Sequence, residues 1–270
     1  MSFTAQALDT AAAAALARLT GARLAGRPCA PVRALLPDGD IGAAYAVQSA
    51  WVAAQLAAGD SVTGRKIGLT NPAIQAQLGV DQPGFGALLA SMDCPQGQPV
   101  DTGRLLQPRI EAEVAFVLAR DLDGPDPSLD DVLAATSAVV AALEIVDSRV
   151  AGWDISIVDT VADNASSGLF ALGSERRPPS GLDLAACPMR MWRGDEEVSA
   201  GSGAACLGHP AAAVAWLAAT ARKYGQPLRA GEIVLSGALG PMVPVAPGDR
   251  FTADIGGLGQ VTAVFSGGAQ

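Results

Sequence analysis

The sequence predicts an α+β fold, with a helical stretch over residues 1–60 and a strand-rich body over residues 61–270. Three observations lead there. The first stretch carries two long alanine-rich runs, each preceded by a residue able to cap a helix. From Val62 the texture changes to short runs rich in Val, Ile, Leu and Phe, punctuated by Gly and Pro. These strand-like runs are spread among helical ones without a regular βαβ rhythm, and neither a G-x-G-x-x-G nor a P-loop joins a strand to a helix. A chain of 270 residues is long enough for one large domain, or for a core with an appendage.

Taken in order, Asp9 or Thr10 caps a helix that runs to Leu24. A connector follows through Pro28, Pro31 and Pro37, and Asp40 caps a second helix from Ile41 to Ala58. Ala44, Val47, Trp51 and Leu56 lie near one face of that helix, and Gly59 ends it. Asn71-Pro72 opens a short helix closed by Gly79, and Gln82-Pro83-Gly84-Phe85-Gly86 reads as a loop. Gln107 to Val117 reads as a strand, with Ile110, Val114, Phe116 and Val117 as β-formers. Ser128 and Asp131 have the spacing of a capping box for a helix that delivers the chain to the apolar run Val139–Val146. Residues 147–168 are dense in polar side chains, which suits either a well-bonded loop or the polar wall of a pocket. Pro210–Tyr224 is an amphipathic helix stopped by Gly225, Glu232–Gly237 a strand, and 251–255 with 260–265 a hairpin.

Several function classes are disfavoured. A net charge of −9 lacks the basic face that a nucleic-acid partner requires. Cys29, Cys94, Cys187 and Cys206 are scattered without a C-x-x-C, so they read as reduced thiols. His209 is the only histidine, and Gly208-His209-Pro210 resembles the start of a helix more than part of a Ser-His-Asp triad. No apolar run reaches the ~18–20 residues of a membrane span, and MSFTAQALDT lacks the basic and apolar regions of a secretory signal. The expected location is the cytoplasm, with no membrane partner.

The chemistry concentrates on acids. Glu111 and Glu113 sit two apart in a strand, so they share a face, roughly 6–7 Å apart along the chain. The pair alone suits a solvated face, with Arg109 softening the charge. Glu144, inside an apolar run, shifts the balance, because a buried glutamate needs a cation. A divalent ion shared by the three acids supplies one, and an all-oxygen ligand set favours a hard ion. Of the 18 basic residues only Lys66 and Lys223 are lysines. Lys66 sits among apolar neighbours, where it either snorkels to solvent or handles protons.

Five motifs now carry a resemblance: Gly64–Thr70, Gln107–Glu113, Ala142–Arg149, Asp159–Ser166 and Gly231–Ala238. Their order resembles that of the 2-keto-4-pentenoate hydratases of the fumarylacetoacetate hydrolase superfamily, over about Tyr45 to Phe265. The resemblance implies a mixed β-sandwich or roll of the superfamily's C-terminal type, with an N-terminal helical extension. It implies Mg2+ or Mn2+ on Glu111, Glu113 and Glu144, and catalytic roles for Lys66 and Ser166. It further implies substrate contacts from Leu69, Arg109, Asp163 and Ser236, a small 2-oxo or 2-hydroxy dienoic acid as substrate, and a homo-oligomer. The implied activity is addition of water to a 2-hydroxy-2,4-dienoate in the catabolism of aromatic compounds after meta-cleavage. A decarboxylase of the 4-oxalocrotonate type and a non-catalytic keto-acid binder are the alternatives. One position departs: the family's loop reads P-D-F-G or P-D-Y-G, and here it is Pro83-Gly84-Phe85-Gly86. The missing acid implies that water addition suffers more than keto–enol exchange.

Overall fold

The computed structural model describes residues 8–71, 75 and 82–267. Two helices come first, α1 (Thr10–Ala25) and α2 (Ile41–Ala57). Asp9 caps α1 by accepting from the Ala12 amide, Gly26 ends it in a left-handed conformation, and Asp40 caps α2 through the Ala43 amide. Their buried residues join the same hydrophobic cluster as the sheets.

The body is two mixed sheets. The larger contains β1 (Val62–Gly68), β2 (Gly84–Leu89), β4 (Pro108–Leu118), β5 (Thr136–Asp147), β6 (Ser167–Leu172) and β9 (Ile233–Ala238). Their order is β2-β1-β9-β4-β5-β6, with the short β10 (Val243–Pro244) on β4. The smaller runs β3-β12-β11-β7-β8, from β3 (Pro99–Asp101), β7 (Pro188–Arg193), β8 (Glu196–Ser202), β11 (Arg250–Ile255) and β12 (Gly259–Ser266). Among the described strands, only β1–β9 and β3–β12 pair in parallel. The smaller sheet packs through β11 and β12 onto β5, and through β12 onto β6. This is the expected mixed sandwich or roll, and it explains why β5 is buried along nearly its whole length and reads as an unbroken apolar run.

Among the described residues, three shorter helices lie outside the sheets: α3 (Leu129–Ala135), α4 (Ile157–Ala162) and α5 (Pro210–Lys223). The Ser128–Asp131 capping box forms as expected, and His209 caps α5 by accepting from the Ala211 amide at Nδ1, 3.0 Å. The run Gly203–Lys223 is long and apolar enough to cross a membrane by length and composition. In the fold, α5 instead packs Val214, Leu217 and Ala218 into the core, against α3, β1 and β9.

The structure adds to or departs from the sequence reading in three places. Gln82–Gly86 is not all loop, since β2 begins at Gly84. Its glycines allow close approach: a Cβ on Gly86 would lie 2.3 Å from the Asn164 carbonyl oxygen. Residues 147–168 are not one loop but contain α4, capped by Ser156. The β7–β8 hairpin was not anticipated. The expected helix over 71–79 lies largely outside the described residues.

Strand β2 is an edge, and side chains rather than another strand cover it. The Tyr45 hydroxyl accepts from the Phe85 amide (3.2 Å), and Gln48 Nε2 donates to the Phe85 carbonyl (2.8 Å). Asn164 then pairs with Ala87 on both sides: its Oδ1 accepts from the amide (2.8 Å) and its Nδ2 donates to the carbonyl (2.9 Å). Asn164 thus stands in for the missing strand at the seam where β2 approaches β6.

Candidate metal centre and substrate cavity

Antiparallel pairing puts Glu111 of β4 directly opposite Glu144 of β5, with Glu113 two residues along on the same face. One carboxylate oxygen from each of the three lies within 4.8 Å of the others. Glu113 and Glu144 are fully buried, and Glu111 forms part of a cavity wall. Glu113 Oε2 accepts from the Gly237 amide at 2.7 Å. That amide is offered by a backbone at φ +104°, where a Cβ would sit 2.2 Å from Thr70 Oγ1, so the position requires glycine. Glu113 Oε1 and both oxygens of Glu144 have no hydrogen-bond donor, although Lys66 Nζ lies 3.0 Å from Glu144 Oε1 as an ion pair.

Charge tells the same story. Burial, then Glu144, pushes the Glu111 carboxyl up to about 7 against the pull of Lys66. Burial, Glu144 and Glu111 push Glu113 well up in the same direction. Burial on its own would lower the Lys66 ammonium, but Glu144, Glu111 and Glu113 outweigh it and hold it above the ordinary lysine value. Three buried carboxylates with undonated oxygens and one cation make a negatively charged, all-oxygen nest, which fits a hard divalent ion.

The cavity beside the nest has a volume of about 480 Å3. Among the described residues lining it, Lys66 and Glu111 are the only charged side chains; Trp153, Ile155, Leu239 and Met242 give it apolar walls. Leu69 and Ser166 also line it, and the Ser166 hydroxyl is buried without a hydrogen-bond partner.

Backbone strain gathers here. Six described non-glycine residues have left-handed φ, and four of them, Leu69, Trp153, Ala165 and Ser166, line the cavity. With Asn164 the last two form a left-handed turn, φ 51–54°. Each such residue costs about 1–2 kcal/mol, somewhat less for Asn, and strain of this kind collects at functional sites.

Arg109, Asp163 and Ser236 do not line the cavity. The Arg109 guanidinium lies 4.7 Å from the Trp153 ring centroid, which places it against a residue of the cavity wall. Ser236 is buried in β9 with its hydroxyl 4.0 Å from Cys206 Sγ. Asp163 is taken up by Arg149, whose Nε donates to Oδ1 and whose amide donates to Oδ2 at 2.9 Å.

Residues 81–266 match the family model described as fumarylacetoacetate (FAA) hydrolase C-terminal. The chain belongs to the FAA hydrolase family. "2-keto-4-pentenoate hydratase 1" of Dechloromonas aromatica (strain RCB) is 54% identical, over 96% of this chain and 98% of the relative. "2-hydroxyhexa-2,4-dienoate hydratase" of Comamonas testosteroni is 45% identical, over 92% and 95%. A solved structure, 4-oxalocrotonate decarboxylase from Pseudomonas putida G7 complexed with magnesium and adipate, superposes with a TM-score of 0.90 at 36% identity, covering 94% of this chain and 97% of that one.

Within the FAA hydrolase fold of this chain, the departure at Gly84 has a physical setting. Gly84 is buried in β2 and does not need a left-handed φ. A Cβ there would meet Val161 Cγ2 at 3.1 Å and Ile157 Cδ1 at 3.4 Å, both on α4. Sequence reasoning missed Trp153 as a wall residue, although an aromatic beside Gly152 in a polar stretch was a signal. It also missed Cys206, whose thiol donates to the Gly237 carbonyl at 2.9 Å, behind the amide that holds Glu113.

Proposed function

We propose that this FAA hydrolase family member is a divalent-metal-dependent hydratase. It adds water to a 2-hydroxy-2,4-dienoate of the 2-keto-4-pentenoate type and gives a 4-hydroxy-2-oxo acid. The observation that carries this reading is the convergence of Glu111, Glu113, Glu144 and Lys66 at the wall of a cavity that is otherwise uncharged among the described residues. The hydratase names of the relatives support the same choice.

Glu111, Glu113 and Glu144 would hold the ion, with Mg2+ expected and Mn2+ the alternative. A bound divalent ion supplies Lewis acidity that favours negative charge on the substrate's 2-oxygen. Lys66, kept charged by Glu144, anchors the anionic head and delivers or receives the proton that moves along the diene. Ser166 offers a hydroxyl with no protein partner to the same head, and Leu69 shapes its seat. Trp153, Ile155 and Met242 surround the tail and keep bulk water from it.

Among the described residues the lining carries no charge beyond Lys66 and Glu111, which also favours this reading over a 4-oxalocrotonate-type decarboxylase. A dicarboxylic substrate carries a second anion, and burying it without a cation is costly. Lys66 is the only cation among the described lining residues, and it already faces Glu144. The expected setting is a cytoplasmic homo-oligomer in aromatic-compound catabolism; light scattering of the purified protein checks the oligomer. The test of function is a parallel assay with Mg2+. Conversion of 2-hydroxypenta-2,4-dienoate to 4-hydroxy-2-oxopentanoate supports the hydratase. CO2 from 4-oxalocrotonate with no hydration would replace it with the decarboxylase, and silence with both substrates would leave a binding protein.

A further inference from the structure

The left-handed turn that presents Ser166 to the cavity is gripped from behind by one side chain. Arg149 follows β5 and is buried, 4% exposed. Its Nη2 donates to the Asp163 carbonyl at 2.6 Å, just before the turn, and its Nη1 donates to the Ser167 carbonyl at 2.9 Å, just after it. Nη1 also donates to the Asp147 carbonyl at 3.0 Å, which ties the turn to the end of β5, three residues beyond Glu144. The Asp163 carboxylate closes the grip from the other side through Nε and the Arg149 amide. Inside this bracket lie Asn164, Ala165 and Ser166, all left-handed; the Ser166→Asp163 and Ser167→Asn164 backbone bonds and the Ser167 hydroxyl on the Asn164 carbonyl span the turn, and the Asn164 side chain ties its start to Ala87.

A run of three non-glycine residues at positive φ is not self-supporting. It persists where the surroundings over-determine it. Here a planar guanidinium matches four acceptors at fixed angles, which an ammonium cannot do. The turn places the unpartnered Ser166 hydroxyl in the same cavity as Lys66 and Glu111.

We propose that Arg149, paired with Asp163, is a positioning residue for the reaction: it acts through the left-handed turn to hold the Ser166 hydroxyl at the substrate. Arg149 itself does not line the cavity, so it acts on turnover only through the chain it grips, and the Ser166 hydroxyl is the reactive group that this chain presents. The proposal rests on the hydratase reading above, and wild-type hydration of 2-hydroxypenta-2,4-dienoate is measured first; failure at that stage overturns the hydratase reading and this inference with it.

Given an active wild type, the test is a double-mutant cycle of Arg149→Met and Ser166→Ala, with kcat and KM read separately under saturating Mg2+. Each single variant is expected to lower kcat by about tenfold or more, while Arg149→Met in the Ser166→Ala background lowers it by less than about twofold. A residue serving only the fold would cost the same factor in both backgrounds, and that additive result overturns the proposal. If Arg149→Met does not fold, Arg149→Lys carries the same cycle, since it keeps the charge and loses the fork. Failure of Arg149→Lys to fold also overturns the proposal, because the grip would then serve the whole sheet. Hydration that proceeds without loss in Ser166→Ala overturns it as well.

Discussion

Glu111 and Glu144 stand directly opposite each other on paired antiparallel strands, the arrangement in which like charges are most unfavourable. Among the described residues nothing relieves them fully: Lys66 is one cation against three acids. The first prediction follows. Glu111→Gln raises the stability of the metal-free protein by about 1 kcal/mol, because it removes one partner of the repulsion. The same variant abolishes both the Mg2+-induced rise in Tm and the Mg2+-dependent turnover. Thermal melts with EDTA and with Mg2+ check it, and an unchanged Mg2+ response would remove Glu111 from the metal centre.

A pH prediction uses the same pair. The Glu111 carboxyl has an ordinary value of 4.5 and is held at about 7 in the fold, with Glu113 shifted the same way. The fold therefore favours the protonated form. The stability this gives is complete below the ordinary value and is lost as the pH rises through about 7. In EDTA, Tm falls on going from mildly acidic to mildly alkaline buffer. With saturating Mg2+ the fall is reduced or reversed, since the ion binds the deprotonated carboxylates. A calorimetric Tm in EDTA that climbs across this window would contradict the charge balance described for the site.

Lys66→Met should lower kcat by at least about tenfold, equivalent to about 1.4 kcal/mol of barrier. It should also destabilise the metal-free protein, because it strips the ion-pair partner from the buried Glu144. Steady-state kinetics on folded protein decide the point. Unchanged kinetics would place Lys66 outside the chemistry.

Gly84 gives a prediction with two arms. Gly84→Asp and Gly84→Ala each place a Cβ 3.1 Å from Val161 Cγ2, so both cost about 1–2 kcal/mol of stability through overpacking. Only the aspartate variant should raise hydration relative to solvent-deuterium exchange into a 2-oxo acid, followed by NMR. Slower hydration in Gly84→Asp would mean that the glycine is fitted to the natural substrate.

Much of this was legible in the residues. The E-x-E spacing placed two acids on one strand face, and the apolar setting of Glu144 placed the third inside, because strand alternation and the cost of a buried charge are local rules. The caps at Asp9, Asp40 and Ser128 were legible for the same reason. Helix α4 was missed although Ser156 and Asp159 repeat the Ser128–Asp131 spacing; its six residues are too short to show a periodic apolar face. Strand β2 was missed because Gly84 and Gly86 read as loop residues, while their role is to let α4 and Asn164 come close. Motif matching ranked Arg109, Asp163 and Ser236 with the substrate contacts, yet a motif records which residues travel together, not which way each one faces. Only the pairing of β4 with β5 and the grip of Arg149 on Asp163 separate the residues that line the cavity from those that brace it.

Asn164 belongs to two structures at once. Its side chain caps the unpaired edge of β2 at Ala87, and its backbone opens the turn that carries Ala165 and Ser166 into the cavity. The lock on the sheet and one wall of the pocket are thus a single piece of chain. Remodelling that wall to admit a bulkier substrate loosens the seam, and loosening the seam bares a strand edge open to pairing with another molecule. A designer seeking a wider pocket has a freer hand at Met242, which is 40% exposed and has no such second duty at the seam.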